Sequence, residues 1–314
     1  MILSPNLKGA LLMMGSMAAC TFTDAWVKLV AGDLPLFQIV FLRGVLTTLA
    51  ISALAYTMGL RSLRIPAADR WKVVGRTVAE IASMVAFLVA LVNMPLANVT
   101  SILAALPLTV TLAGALVLRE PVGWRRLAAI LVGFAGVLLI VKPGTEGFNA
   151  YSLVAVLAVC LVTARDLFTR RFSSEVPSMA VAVITAATVG AFGGLLMLWQ
   201  GWEPVTPRAA GLVAGAALFI IGGYLFSIMV MRVGEIGFVA PFRYTALIWA
   251  LLLGWFVFGD WPLPSTLVGS AIVVATGVFT LIRERQVARR KARNPASPTA
   301  TAVAAAPTIG ARER

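Results

Sequence analysis

Ten apolar runs recur along the chain, and they constrain the fold more than any other feature of the sequence. A helix of about 20 residues spans the ~30 Å hydrocarbon core of a bilayer. The period-two alternation that marks a membrane β-barrel is absent from the sequence. We therefore predict an all-α polytopic membrane protein with ten transmembrane helices. The predicted helices cover approximately residues 9–29, 35–56, 73–92, 96–118, 124–141, 152–172, 177–200, 208–230, 236–258 and 264–282.

The composition supports this fold class and excludes several kinds of site. Of the 314 residues, 60% are hydrophobic and only 12% are charged, whereas a soluble domain of this length needs more charge to cover its surface. The chain has no histidine, which excludes histidine-based catalysis and zinc–histidine sites. Its two cysteines, Cys20 and Cys160, both lie inside apolar runs, which argues against a disulfide or a cysteine-based metal site. We expect no metal and no cofactor.

The positive charge is arranged as in an inner-membrane protein. The formal net charge is +13, but the basic residues flank the spans in short loops and in the tail, so we expect no nucleic-acid partner. With the N-terminus inside, the outer loops carry only Lys142 and Arg208. This asymmetry places both termini in the cytoplasm. The inner loops carry Arg61, Arg64, Arg70, Lys72, Arg119, Arg125, Arg126, Arg170, Arg171 and Arg232.

The chain contains an internal repeat. The segment DAWVKLVAGDLP at 24–35 aligns without gaps with DLFTRRFSSEVP at 166–177. A half of five spans has an odd number of crossings, so the second half must enter the membrane inverted, as in many secondary transporters. We expect a first five-helix repeat at 1–144, a second at 145–282 and a basic, disordered cytoplasmic tail at 283–314.

Two longer segments point to a known family. They are REPVGWRRLAAILVGFAGVLLIVKPG at 119–144 and APFRYTALIWALLLGWFVFGDWP at 240–262. Together with the two five-span halves, they resemble the EamA branch of the drug/metabolite transporter superfamily, over about residues 7–285. The resemblance implies transport of a small organic metabolite across the inner membrane. The segments TDAWVK, ARDLFTRRF and APFRYTAL look most like members that take up riboflavin or S-adenosylmethionine, which favours vitamin or nucleotide-like uptake.

Other functions remain open at this point. An exporter of amino acids or drugs would use the same fold in the opposite direction. A membrane-embedded enzyme would need a reactive constellation, and the sequence offers neither a histidine nor an intramembrane pair of aspartates. No G-x-x-x-x-G-K-[ST] motif is present, so transport must follow a gradient by facilitated diffusion, exchange or proton symport. The chain could act as a monomer or a homodimer.

Three ionisable residues fall at membrane depth. Arg43, Glu80 and Arg243 each lie about eight residues into a span, which is ~12 Å deep at 1.5 Å per residue. Such a residue costs about 2.5–3.5 kcal/mol on insertion scales, so each needs a function or a partner. A carboxylate at this depth favours its neutral form unless a cation compensates, which makes Glu80 a candidate proton carrier. The alternative is a structural ion network of the three residues.

Prolines single out the spans that should hold the site. Pro241 precedes Arg243 in the ninth span, and Pro107 interrupts the equivalent fourth span. Broken helices in matching positions of two repeats point to a substrate site. We therefore predict that Arg243 binds substrate in a central cavity, with Tyr244 beside it and Glu80 orienting it.

Two charge pairs lie near the span ends. Asp24 and Lys28 are spaced i, i+4 in the first span, and Asp166 and Arg170 repeat that spacing in the sixth. Each pair can close on one helix face. Because the two spans end on opposite sides, the pairs suit the two gates of a transporter. The alternative is that the cations extend separately to the interfaces.

Overall fold

The structure is a computed structural model that describes residues 5–59, 62–119, 122–143, 148–173, 175–233 and 236–293. Within these ranges it contains helices and no strands, and ten helical stretches are long and apolar enough to cross a membrane. The prediction of an all-α protein with ten spans is confirmed. The α-helices are α1 Pro5–Val30, α2 Leu36–Thr57, α3 Arg70–Asn93, α4 Leu96–Leu103, α5 Leu106–Val117, α6 Trp124–Val141, α7 Tyr151–Arg170, α8 Ser178–Gln200, α9 Pro207–Val233, α10 Ile236–Val239, α11 Thr245–Phe258 and α12 Pro264–Arg293.

The last helix is longer than predicted. The α12 helix continues past Arg283 to Arg293, into the segment for which the sequence predicted disorder. That segment is rich in arginine, lysine, glutamine and alanine, all of which propagate a helix well. The predicted disordered tail is therefore wrong for 283–293, and its remainder, 294–314, lies outside the described residues.

The spans pair in a pattern that has an internal two-fold symmetry. The first span packs on the eighth and the third on the sixth, while the second packs on the seventh and the fifth on the tenth. Replacing each span by the one five places away returns the same set of pairs. This is the arrangement that two five-helix repeats produce. The expected division between them, at 144/145, falls on residues outside the described part and stays a prediction.

Direct contacts show that the equivalent spans α2 and α8 run antiparallel. Gly44 lies against Gly190, whereas the earlier residue Val40 lies against the later residue Gly193. A Cβ on Gly44 would stand 2.6 Å from the Cα of Gly190, so the two backbones touch where they cross. Small residues at such crossings allow close helix packing in membranes. The inverted relation of the repeats is thus visible in this pair.

The fourth and ninth spans are both interrupted near their middle. In the fourth, α4 ends at Leu103 and α5 begins at Leu106, next to Pro107, which has no N–H to donate to the Leu103 carbonyl. In the ninth, a 3₁₀ helix at Ala240–Tyr244 contains Pro241 and leads into α11. The predicted interruptions are therefore present, and α4 packs directly on α11.

Candidate functional site

A cavity of about 160 Å³ lies between the two interrupted spans and the first span. Its walls are mostly apolar, with one acidic and one basic side chain among them. Broken helices expose backbone groups that a continuous helix would satisfy internally, and transporters place substrate there. The lining residues are Met17, Cys20, Thr21, Asp24, Phe87, Thr100, Leu103, Ala104, Leu106, Pro107, Arg243, Tyr244, Ala246 and Leu247.

One face of α1 supplies the acidic wall. Met17, Cys20, Thr21 and Asp24 line the cavity, and their spacing of three and four residues places them on one face of a helix. The Thr21 hydroxyl forms a hydrogen bond within α1, in which it donates to the Met17 carbonyl at 2.9 Å. Asp24 forms no hydrogen bond or ion pair with the part of the chain that the structure describes. Its carboxylate is therefore the unused acceptor of this wall.

Arg243 supplies the basic wall. It occupies the 3₁₀ helix of the ninth span, lines the cavity, and keeps an exposed side chain. Among the described residues it has no hydrogen bond and no ion pair. Because Asp24 and Arg243 both line the cavity, the two opposite charges face a shared space. This space can hold a ligand that carries both signs of charge.

Tyr244 contributes its ring rather than its hydroxyl. The ring lines the cavity, but the side chain is 8% exposed and its hydroxyl points at Gly277 of α12. There is no room for a Cβ on Gly277 against that hydroxyl. Within the described residues, the hydroxyl has no hydrogen-bond partner. Tyr244 thus lies beside Arg243 as predicted, although its polar group faces away from the cavity.

Glu80 lies in a different cluster from Arg243. Its carboxylate accepts from Arg165 at 3.2 Å and lies 3.6 Å from Arg76 of its own helix. Arg165 also donates to Asp166 at 2.8 and 2.9 Å. Hence the predicted contact of Glu80 with Arg243 is not formed. A closer cation on α7 and another at i−4 occupy the carboxylate instead.

The ionic cluster of Arg76, Glu80, Arg165 and Asp166 joins α3 to α7 near the basic loops. Their side chains keep 18–38% of their surface exposed. Arg76 extends it to α8 by donating to Thr185 at 2.6 Å. Sequence reasoning missed Arg76, although its i, i+4 spacing from Glu80 was a usable signal.

Arg43 does not line the cavity. It interacts electrostatically with Asp24 and with Tyr224. Tyr224 also interacts electrostatically with Glu80. Among the described residues no ion pair joins Arg43, Glu80 and Arg243 directly, so the structural network that the sequence left open is not seen as a set of contacts.

The two predicted charge pairs differ in outcome. Lys28 does not close on Asp24; it donates to the backbone carbonyl of Met94 and lies 5.1 Å from the ring centroid of Phe258. A carbonyl at the end of α3 offers Lys28 a fixed acceptor, whereas Asp24 faces the cavity. Asp166 accepts from its neighbour Arg165, and its predicted pairing with Arg170 stays a prediction.

The end of the bundle away from the basic loops is sealed. A core of buried apolar side chains joins the ends of α1, α2, α3, α4 and α9 to α11 there. Gln38, fully buried, adds reciprocal hydrogen bonds to the backbone of Glu203, at 2.8 and 3.0 Å. The core consists of Ala25, Val27, Val30, Leu34, Ile39, Val40, Leu88, Leu91, Leu96, Ala209, Val213, Ala216 and Ala250.

Two smaller apolar clusters lie at the opposite end in the described part of the chain. One contains Val73, Val176 and Val181, packed with Ile65 and Phe172. The other contains Ile51, Ala55 and Val183 of α2 and α8. The side chains of 231–237, at the inner end of α9 and the start of the ninth span, lie outside the described part.

Comparison with known proteins gives a consistent picture. The sequence pattern of a family described as the EamA-like transporter family matches the chain twice, at residues 7–142 and 149–282. A solved crystal structure superposes with a TM-score of 0.62 at 20% identity, covering 90% of this chain and 99% of that chain. At that identity the likeness concerns the fold alone.

Three curated relatives are transporters by name. An S-adenosylmethionine uptake transporter from Rickettsia prowazekii is 24% identical over 90% of this chain and 96% of its own length. A riboflavin transporter from Vibrio cholerae is 31% identical over 61% of this chain and 64% of its own length. A pseudopaline exporter from Pseudomonas aeruginosa is 26% identical over 83% of this chain and 92% of its own length.

Proposed function

The chain belongs to the EamA-like transporter family, and from this premise we propose that it takes up a small metabolite that carries both a cationic and an anionic group. The substrate class that fits best is an amino-acid-bearing nucleoside of the S-adenosylmethionine type. Uptake proceeds across a bacterial inner membrane and is driven by a gradient.

One observation carries this proposal: Asp24 and Arg243 face the same apolar cavity. Neither has a hydrogen bond or an ion pair within the described residues, although Asp24 interacts electrostatically with Arg43 at longer range. A charge facing an apolar space is costly unless a partner contacts it directly. A substrate with both charges provides a partner to each residue at once. A substrate with one charge pairs with only one of the two residues.

The chemistry of S-adenosylmethionine matches these walls. Its carboxylate suits the planar fork of Arg243, which can grip two oxygens together. Its sulfonium and ammonium suit the carboxylate of Asp24. The purine then packs against apolar and aromatic side chains such as Phe87 and the ring of Tyr244. The named activity of the Rickettsia relative supports the same class.

We infer alternating access from the two-fold symmetry. The sealed core closes one end of the bundle. If the basic loops are cytoplasmic, this core excludes the substrate from the outer side, which supports an inward-facing state. In the outward-facing state, the symmetry-related helix ends at the basic end would pack together while the sealed core separates.

Riboflavin is the second candidate substrate. Arg243 could hold the imide oxygens of its ring system, and the Vibrio relative is named for this vitamin. Riboflavin carries no cation, however, so it would offer Asp24 no charged group, and Asp24 would keep only its interaction with Arg43. Export is a further alternative, because the Pseudomonas relative is named an exporter.

Transport assays in intact cells test the proposal. Cells that express the chain should accumulate radiolabelled S-adenosylmethionine above vector-only cells, and excess unlabelled S-adenosylmethionine should compete while riboflavin does not. Riboflavin uptake without S-adenosylmethionine uptake would show that the substrate is riboflavin. Accelerated loss of label from preloaded cells, without uptake, would identify an exporter.

A further inference from the structure

A second cavity lies at the basic end, between the fifth and tenth spans, and shares no lining residue with the substrate cavity. It has a volume of about 300 Å³ and is lined by Arg125 at the start of α6 and by Phe279, Ile282, Arg283 and Gln286 of α12. Arginine side chains line two sides of this cavity, and apolar side chains form its floor. This composition differs from that of the substrate cavity, which has one charge of each sign.

The packing of α6 on α12 brings the two arginines to one level. The helices cross closely where Gly133 meets Thr276 and Gly136 meets Gly269, which fixes an antiparallel register. From that crossing, Arg125 is eight residues back along α6 and Arg283 is seven residues forward along α12. At 1.5 Å per residue both are displaced by roughly 10–12 Å in the same direction. Two separate helices therefore present cations to one groove.

Neither arginine is neutralised by a carboxylate within the described residues. Arg283 donates to the side-chain oxygen of Gln286 at 2.8 Å, which orients its guanidinium. Arg125 lies 5.4 Å from the ring of Trp124. These neutral partners fix the positions of the two cations. A ligand that pairs with both arginines is anionic.

The floor of the groove faces lipid. Phe279 is 44% exposed and Ile282 is 45% exposed, and both belong to the part of α12 that is apolar enough to span the membrane. Trp124, at the start of α6, is 74% exposed, as expected for an aromatic anchor at the interface. The ligand must therefore combine an anionic head with an apolar tail that lies along the helix surface.

We propose that this groove is a binding site for an anionic phospholipid, with the headgroup phosphate between Arg125 and Arg283. An acyl chain lies along Phe279 and Ile282. Basic pockets between transmembrane helices bind such headgroups, and two arginines can hold the phosphate oxygens in pairs. A bound lipid bridges the ends of α6 and α12, which are equivalent helices of the two repeats. The site does not depend on what the protein transports.

Native mass spectrometry of the purified full chain tests the proposal. The delipidated protein is incubated with dioleoyl phosphatidylglycerol or with dioleoyl phosphatidylcholine, and the retained lipid is measured. We expect one phosphatidylglycerol to be retained preferentially. In Arg125→Gln/Arg283→Gln its apparent affinity should fall by about tenfold. The matched control, Arg64→Gln/Arg171→Gln, removes the same charge from the same end outside the groove and should retain the lipid.

Several results would overturn the site. Equal retention of the two lipids would indicate a general annular lipid, as would unchanged retention in the groove variant. Displacement of the lipid by equimolar glycerol 3-phosphate would assign the groove to a free phosphate compound. If the double variant is not monodisperse, the single variants Arg125→Gln and Arg283→Gln are measured in the same way. The apparent affinity of each for phosphatidylglycerol should fall by about threefold.

Discussion

At the scale of single residues, the two charged side chains of the cavity are positioned by different kinds of helix. Asp24 lies on a regular helix, so its position follows from the i, i+3, i+4 spacing of α1. Arg243 lies on a 3₁₀ helix, where three residues make a turn, and its direction depends on the break at Pro241. The sequence could predict that Arg243 lies at membrane depth, but only the fold places it opposite Asp24.

The conservative exchange Arg243→Lys should weaken substrate binding by tenfold or more while leaving folded protein. Lysine keeps the charge but loses the planar fork, and a hydrogen bond to a charged group contributes about 1.5–3 kcal/mol. Isothermal titration of purified protein with S-adenosylmethionine measures the change. The control Arg208→Lys alters an exposed cation that pairs with Asp33 at 3.3 Å, and it should bind normally. Unchanged affinity in Arg243→Lys would remove this residue from the site.

Glu80 should act as the link between α3 and α7. Glu80→Gln removes the carboxylate between Arg76 and Arg165 and leaves Asp166 as the anion that contacts Arg165, so we expect a loss of about 1–3 kcal/mol in stability. Thermal unfolding in detergent measures it, and Glu80→Gln/Arg165→Gln should recover part of the loss. A Glu80→Gln protein with wild-type stability whose uptake no longer depends on pH would instead establish Glu80 as the proton carrier.

At the scale of helices, the sequence predicted type and number well. Hydropathy and length suffice for ten spans, because an apolar run of that length has few other stable structures in lipid. Proline marked the two interrupted spans, since it removes a donor wherever it occurs. The sequence did not predict which charged residues would pair with each other. Glu80 could have paired with any cation at its depth, and the structure selects Arg165 of α7.

The crossing of α2 and α8 gives a direct test of helix packing. Gly44→Val adds atoms where the backbones of Gly44 and Gly190 touch, and overpacking of this kind costs about 1–3 kcal/mol. We expect a lower yield of monodisperse protein and a lower melting temperature. Gly211→Val is the matched control, because a Cβ there meets nothing within 4 Å. Equal behaviour of the two variants would contradict the antiparallel pairing.

At the scale of the whole molecule, the orientation of the bundle in the membrane is a prediction. It decides which side of the membrane the described state faces. The loop charges place the basic end in the cytoplasm. In a chain that lacks Cys20 and Cys160, Ala150→Cys should react with a membrane-impermeant maleimide in intact cells. Ala68→Cys, at the basic end, should react only after permeabilisation. The reverse pattern would invert the molecule and make the described state outward-facing.

The internal two-fold symmetry connects these scales. The repeat was visible in the sequence through DAWVKLVAGDLP and DLFTRRFSSEVP, yet the charged residues of the two segments make different contacts. Lys28 donates to a backbone carbonyl at the sealed end, whereas Asp166 joins the ionic cluster nearer the basic end. One conformation of a symmetric transporter is itself asymmetric, so a sequence repeat cannot assign the contacts of either state.

Binding of substrate analogues tests most directly whether Asp24 and Arg243 recognise opposite charges of one substrate. S-adenosylhomocysteine lacks the sulfonium charge, and decarboxylated S-adenosylmethionine lacks the carboxylate. Titrations of each compound into the wild type, Asp24→Asn and Arg243→Gln give a complete set of affinities. We predict that the wild type prefers S-adenosylmethionine over both analogues by about tenfold or more. Asp24→Asn should lose only the preference over S-adenosylhomocysteine, and Arg243→Gln only the preference over the decarboxylated compound. If both variants keep both preferences, or if the wild type shows none, the assignment of these two residues to the substrate is wrong.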